Sequence, residues 1–230
     1  MATADAGLLV LDKPAGPTSH DVIQQLRRLT GVRRIGHAGT LDPLASGVLL
    51  VCLGRAARLL EYLVGLDKTY WAALRLGQTT DTYDAEGQLT AERPVDLGRA
   101  EIEAALAAFR GPIAQRPPMY SALKLGGRPL YQLARQGLEV ERPPRQVMIH
   151  SLDLLDWRPP RLELRLACSS GAYIRSLAHD LGQALGPGAH LAALRREAVG
   201  DFGLDEATQP DALTPAGWRA DLQPPAAAVR

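Results

Sequence analysis

Gly36-His37-Ala38-Gly39-Thr40-Leu41-Asp42-Pro43-Leu44-Ala45-Ser46-Gly47 sets a single carboxylate in a stretch punctuated by glycine and proline. Gly31-Val32-Arg33-Arg34-Ile35 precedes it, and the apolar run Val48-Leu49-Leu50-Val51-Cys52-Leu53 follows. A loop between such runs can hold a reactive side chain exposed yet fixed. Asp before Pro also starts ordinary turns, and the dipeptide alone says no more than that. The surroundings do. Between Arg27 and Leu60 stand six arginines, Arg27, Arg28, Arg33, Arg34, Arg55 and Arg58, with Asp42 the one acid among them. A lone carboxylate in so cationic a segment points to chemistry on a polyanion, with guanidinium groups on phosphates.

The flanking elements follow from periodicity and caps. Residues 7–11 read as a short apolar strand ending in the turn Asp12-Lys13-Pro14. Thr18 is a good N-cap with Asp21 three residues on; Val22, Ile23, Leu26 and Leu29 share one helical face, and Gly31 stops the helix. Strands are predicted at 48–53 and 69–76, helices at 56–64, 100–109 and 173–185, and a hairpin from 147–157 and 162–167. Strands and helices mix without strict alternation, which argues for an α+β or mixed-sheet design.

Residues 115–145 differ in character. Gln115-Arg116-Pro117-Pro118-Met119-Tyr120-Ser121-Ala122-Leu123-Lys124 leads through Gly126-Gly127-Arg128-Pro129 and a short helical piece at 131–136 to Arg142-Pro143-Pro144-Arg145. Its net charge is +4. A basic excursion bounded by Pro and Gly suits an arm that grips RNA, although a solvated surface loop has the same composition.

The overall net charge of +1 hides this clustering, because the acids gather elsewhere, notably over 81–92 and 201–206. Arginine outnumbers lysine 23 to 3; codon usage of a GC-rich genome explains the excess, and phosphate binding is a local use of it. Cys52 and Cys168 stand singly in apolar runs and read as core residues in a reducing compartment. The N-terminus has neither a basic n-region nor an apolar h-region, and no apolar run nears the ~18 residues of a membrane span. The expectation is a cytoplasmic protein with no membrane partner.

The 36–47 segment, with Lys13-Pro14 upstream and Gly-Val-Leu downstream, resembles the catalytic motif of the bacterial pseudouridine synthases that modify uridine 55 of tRNA. Ala38 stands where that family often has Thr. Four further motifs match in order: Lys68-Thr69-Tyr70, Thr80-Asp81-Thr82-Tyr83-Asp84, the Gln115–Lys124 segment, and Gly171-Ala172-Tyr173-Ile174-Arg175, with Leu194-Arg195-Arg196 after them. The resemblance covers residues 7–200. It implies an α+β fold with a mixed, largely antiparallel central sheet flanked by helices, an inserted RNA-binding thumb at about 115–145, a catalytic domain over 1–208 and a short tail over 209–230. Relatives usually continue into a small RNA-binding PUA domain where this sequence stops, so affinity is expected to rest on the catalytic domain and thumb. A guide-RNA-dependent synthase of the archaeal type, which docks through that domain, is the less favoured relative.

Isomerising uridine breaks one C–N bond and forms one C–C bond with no net oxidation, so neither metal nor redox cofactor is expected. The resemblance makes Asp42 the nucleophile, already ionised at neutral pH given a reference pKa of about 3.9. Packing a base against it would favour protonation, and Arg175 is the family's paired cation. Tyr70 would stack on the flipped uracil, Leu194 would shield the pocket, and His37 would enter the T-loop and hold the target base extruded. Lys13, Asp84 and Arg58 are expected on the substrate-binding side, Asp84 at the rim. His20, His150, His179 and His190 read as surface or satisfied core residues. The expected partner is the T-arm stem-loop of tRNA, bound by a monomer without an obligate protein partner. The alternative is an RNA-binding or tRNA-folding chaperone of the same fold, against which the intact Asp42, Tyr70 and Arg175 argue.

Overall fold

The computed structural model describes residues 5–121 and 123–229. Readings that fell on residues 1–4, on Ala122 of the Gln115–Lys124 segment and on Arg230 lie outside the described residues. In chain order the elements are β1 (Gly7–Lys13), α1 (Ser19–Thr30), β2 (Ile35–Ala38), β3 (Ala45–Leu53), α2 (Leu60–Val64), β4 (Lys68–Leu76), β5 (Gln78–Thr80) and β6 (Leu89–Glu92). Then come α3 (Arg99–Ala107), β7 (Gly111–Gln115), β8 (Lys124–Leu125), β9 (Arg128–Pro129), α4 (Leu130–Ala134), β10 (Arg145–Arg158), β11 (Arg161–Cys168), α5 (Ile174–Leu185), β12 (Ala189–Val199) and β13 (Phe202–Gly203). The class is α+β, its sheet mixed and mostly antiparallel, as expected.

The chain forms two compact units. One takes the chain through Tyr70 and resumes at Leu194; the other is Trp71–Ala193. In the first, strands order β1-β3-β12, with β2 on β3 and β13 on β12. β1 runs antiparallel to β3, pairing Leu8 with Cys52 and Val10 with Leu50, while Leu194–Arg196 of β12 run parallel to Ala45–Gly47. β3 lies between two strands and is buried nearly throughout, which is why its apolar run is unbroken. Val48, Leu50 and Cys52 join Leu8, Val10, Ala38, Leu63, Val199 and Phe202 in one core. Each large aliphatic side chain buried there contributes roughly 1.5–3 kcal/mol. Burial pushes the Cys52 thiol up to about 11, in keeping with a core residue.

The short tail over 209–230, with Thr208 before it, docks on β1. Thr208 exchanges backbone hydrogen bonds with Val10 (3.0 Å) and Asp12 (3.0 Å), and Gln223 with Leu8 (2.8 and 2.9 Å). Trp218 is fully buried. The free edge of β1 is thereby covered, which removes a template for unwanted strand pairing.

Helix α1 forms as its sequence dictates. Thr18 is the N-cap: its hydroxyl accepts from the Asp21 backbone N–H at 3.0 Å, and the Asp21 carboxylate accepts the Thr18 N–H at 2.9 Å. This reciprocal capping box satisfies two donors the first turn would leave orphaned. Val22, Ile23 and Leu26 are buried, and Gly31 ends the helix in the left-handed region at φ 71°.

In the second unit the order is β4-β11-β10-β7. β10 and β11 form the expected hairpin, closing at Arg158 opposite Arg161. β7 pairs with β10, and α3 packs on α5. The basic segment after Gln115 holds the small β8–β9 hairpin and α4. Among the described residues no helix is long and apolar enough to cross a membrane.

Candidate active site

Asp42 is half-buried in the 39–44 loop, and the backbone of that loop is held at alternate residues. Ser19, buried at the first turn of α1, donates its hydroxyl to the Leu41 carbonyl (3.0 Å) and accepts the Leu41 N–H (2.9 Å). The Gly16 N–H donates to the Pro43 carbonyl at 2.8 Å. Arg196 of β12 reaches both ends: Nη2 donates to the Gly39 carbonyl at 3.0 Å, and Nε to Val48 at 2.7 Å. Three separate elements thus fix the backbone around one carboxylate. Fixing a nucleophile before substrate arrives is where positioning lowers a barrier.

Close packing makes the bracing possible. Gly47 lies at φ 104°, and a Cβ there would meet the Arg196 carbonyl oxygen at 2.1 Å, so only glycine lets β12 approach this end of β3. Arg196 is 1% exposed. Arg196→Met keeps volume but leaves two buried carbonyls without their donor, at roughly 1–3 kcal/mol each. The expected outcome is a Tm lower by about 5–20 °C in a calorimetric scan. A Tm within two degrees of wild type, or about that, would mean water replaces the guanidinium.

Leu194, 8% exposed, lies opposite Ala45 in the parallel ladder, three residues beyond Asp42 in the facing strand. Tyr70 is 8% exposed on β4, on the same face as Lys68. His37 sits in β2 opposite Val51. Burial, then the charges of Arg196 and His20, lower its pKa, opposed by a hydrogen bond with the Gly39 backbone. Its Nδ1 is buried without a hydrogen-bond partner. His37 is therefore expected to be neutral at pH 7, with an NMR titration midpoint below the free imidazole value of about 6.5. A midpoint above that value would contradict the placement of the ring.

Lys13 and Lys68 take internal positions. Lys13 is fully buried, and its ammonium donates to the carbonyls of Pro14 (2.8 Å) and Pro17 (2.7 Å), bracing the turn that carries Gly16. Lys68 donates to Val64 (2.7 Å) and to Leu66, satisfying carbonyls at the end of α2. Arginines carry solvent-facing positive charge in this unit: Arg28, Arg33, Arg34, Arg55 and Arg58 are all exposed.

In the second unit Arg175 is 5% exposed in the first turn of α5. Its Nη2 donates to the Tyr120 carbonyl at 2.7 Å; its Nη1 donates to the Thr82 carbonyl at 3.3 Å and faces the Asp84 carboxylate at 3.4 Å. Asp84 was expected at the rim, whereas it is 4% exposed, and its other oxygen accepts from the Thr82 hydroxyl (2.6 Å) and the Glu86 N–H (3.1 Å). A buried ion pair with its remaining lone pairs satisfied holds a guanidinium in one orientation. Gln115, first residue of the Gln115–Lys124 segment, clasps the residue before α5: its amide donates to the Tyr173 carbonyl (2.9 Å) and accepts the Tyr173 N–H (2.7 Å).

The basic segment divides in two. Arg142 is buried, donating to the Pro117 carbonyl (3.2 Å) and pairing with Glu139 (3.1 Å). Arg128 and Arg135 are exposed, the first donating to Gln136 and the second lying over the Tyr131 ring. Sequence alone named neither Ser19 nor Gly16 as holders of the loop. Nothing local marks them, since a serine after an N-cap and a glycine in a turn have many uses.

Comparison with known proteins adds an independent line. The family described as TruB family pseudouridylate synthase (N terminal domain) matches residues 27–174, and the tRNA pseudouridylate synthase B C-terminal domain matches 175–226. The tRNA pseudouridine synthase B of Dechloromonas aromatica (strain RCB) is 56% identical over 86% of this chain and 66% of its own length. That of Azoarcus sp. (strain BH72) is 49% identical over 97% of this chain and 75% of its own. The chain thus spans about two thirds of the length of the first of these relatives. Among solved structures, one of a Cbf5-Nop10-Gar1 complex is similar with a TM-score of 0.75 at 30% identity, over 97% of this chain and 61% of that one. Another, of an H/ACA RNP bound to a substrate RNA containing 2'-deoxyuridine, gives 0.74 at 28%, over 97% and 60%.

Proposed function

The chain belongs to the TruB family of pseudouridylate synthases, and from that membership we propose that it isomerises uridine to pseudouridine at position 55, in the T-arm loop of tRNA, with Asp42 as the nucleophile. The observation that carries the reading is the Asp42 loop, held at Gly39, Leu41 and Pro43 within a unit that exposes Arg28, Arg33, Arg34, Arg55 and Arg58. A fixed carboxylate can attack an electrophilic carbon of the nucleotide, hold the fragment while the base turns, and leave again once the C–C bond has formed. Tyr70 offers an aromatic face for the base. Leu194, flush with the Ala45 ladder, excludes water. The family resemblance assigns Arg175 the part of the cation that favours an ionised carboxylate.

His37 suits the space left by an extruded nucleotide. Burial lowers its pKa, so the ring is expected to enter that space uncharged. Unstacking costs a few kcal/mol, and a filling group offsets part of it. His37→Ala should therefore lower kcat/KM less than loss of Asp42 does, and the defect should shrink on a T-loop fragment whose loop is already open. Equal fractional losses on both RNAs would leave His37 an ordinary residue of β2.

Arg128 and Arg135 are exposed thumb charges placed to meet phosphates. The R128A/R135A double variant is expected to flatten the slope of log K against log [salt] by up to about 1.4, at roughly 0.7 per contact on single strands. An unchanged slope would confine the thumb to a steric role. The reading as a whole is tested with a T-arm hairpin carrying 5-fluorouridine at position 55. A covalent adduct mapping to Asp42 is expected, together with tritium release from 5-tritiated uridine in the normal hairpin. Tight binding without either product would favour the chaperone reading.

A further inference from the structure

Tyr83 is the one non-glycine residue at positive φ among the described residues, at 64°. A tyrosine rarely adopts that conformation, and such outliers persist only where the surroundings over-determine them. Here the surroundings are visible. The Tyr83 carbonyl accepts the Leu191 N–H at 3.0 Å, and its own N–H donates to Thr80 at 3.3 Å. Its ring stacks on His179 of α5, centroids 3.9 Å apart and planes 14° from parallel. The residues on either side face Arg175: the Thr82 carbonyl and the Asp84 carboxylate both hold its Nη1. Arg175 and His179 are four residues apart on one helix, so they lie on the same face, one turn from each other.

We propose that the stack of Tyr83 on His179 is a positioning device for Arg175. It locks the 82–84 turn to α5 at a second point, so that the Thr82 carbonyl and the Asp84 carboxylate present themselves to the guanidinium in one arrangement. Backbone bonds to Leu191 tie the turn to β12, and the stack one helical turn from Arg175 sets its face against α5. The left-handed backbone at Tyr83 is the geometry that lets three successive residues serve both attachments.

His179 was expected to be a surface or satisfied core histidine, and its chemistry is otherwise. Its Nδ1 is buried without a hydrogen-bond partner, and burial lowers its pKa, so the ring meets Tyr83 as a neutral face. Nothing in that contact uses a ring nitrogen. A phenyl ring should serve in its place and leaves no buried nitrogen unpaired. That separates a stacking role from any acid–base role of the imidazole. Tyr83 and His179 are positioning residues here, since both act through Arg175.

The inference rests on the reading of Arg175 as a group of the reaction, and its test has one arm that needs no activity. Single-turnover rates on a saturating T-arm hairpin, and Kd for the same RNA, are measured for H179A, Y83A, H179F and Y83F. H179A and Y83A are expected to slow pseudouridine formation about 10- to 100-fold, the scale of a reacting group misplaced by an ångström or less, with Kd changed less than about two-fold. H179F and Y83F keep both rings and should stay near wild type. In parallel, solvent exchange of the Arg175 Nε–H is followed by NMR. It should quicken in the two alanine variants and not in H179F or Y83F. Wild-type rates and exchange in both alanine variants would overturn the proposal, and so would a loss in H179F equal to that in H179A. If the wild-type protein forms no pseudouridine, the functional reading fails, while the exchange experiment still decides whether the stack fixes Arg175.

Discussion

Asp42→Asn is expected to abolish pseudouridine formation while leaving RNA affinity within a few-fold of wild type. The side chain alone changes. Backbone hydrogen bonds at Gly39, Leu41 and Pro43 shape the loop. Asn is nearly isosteric, so the loop keeps its form and the defect reports chemistry. Removing a negative charge cannot weaken contact with a polyanion through charge, and should strengthen it slightly. Loss of a covalent nucleophile costs several orders of magnitude, so residual turnover below about one per cent is expected. Turnover above that level, in a preparation shown free of deamidation back to Asp, would take Asp42 out of the nucleophile's role.

The parts of this fold legible in the sequence are those decided locally. α1 could be read because Thr18, Asp21 and Gly31 write its ends, and Val22, Ile23 and Leu26 its buried face. The β10–β11 hairpin was legible for the same reason, two alternating runs about a Pro-Pro turn. β12 was not. Ala189–Val199 is rich in Ala, Leu, Arg and Glu, all good helix formers, and it is a strand only because it lies alongside β3. Its parallel pairing joins residues far apart in the chain, and no local pattern announces such a partner. Only the matched Leu194-Arg195-Arg196 drew attention to the region, and that match assigned no work to Arg196.

The candidate site divides in the same way. Residue types in the motifs were plain, but which group each would face was not. Lys13 looked like a cation for substrate and instead braces the turn beside the loop. Arg142 counted toward a basic arm and is buried on Pro117 and Glu139. Asp84 was expected at a rim and lies inside, against Arg175. A charge in a sequence has no direction; packing supplies it, and desolvation penalties then leave only paired or hydrogen-bonded arrangements. The left-handed backbone of Tyr83 was equally invisible, since tyrosine carries no preference for it.

Arg175→Lys should be severely impaired although the charge is kept. The guanidinium uses its width: Nη2 serves the Tyr120 carbonyl, while Nη1 serves Thr82 and Asp84. An ammonium is one point with three donors, and it cannot stand at both ends of that fork at once. Lysine would keep Asp84 company, since leaving that buried carboxylate unpaired costs more than surrendering Tyr120. The cation would then be drawn toward the 82–84 turn and lose its fixed direction. A fall in kcat of about 10²- to 10³-fold is expected, similar to the loss of one preorganised donor in other active sites, with KM little changed. Asp84→Asn offers the complementary cut, because it keeps the shape and removes the charge that holds Nη1. If direction is what matters, the two variants should lower kcat without raising KM, and the double variant should be no worse than the poorer single one. Near-normal kcat in Arg175→Lys would show that positive charge suffices there, and that the contacts to Tyr120 and Thr82 serve stability alone.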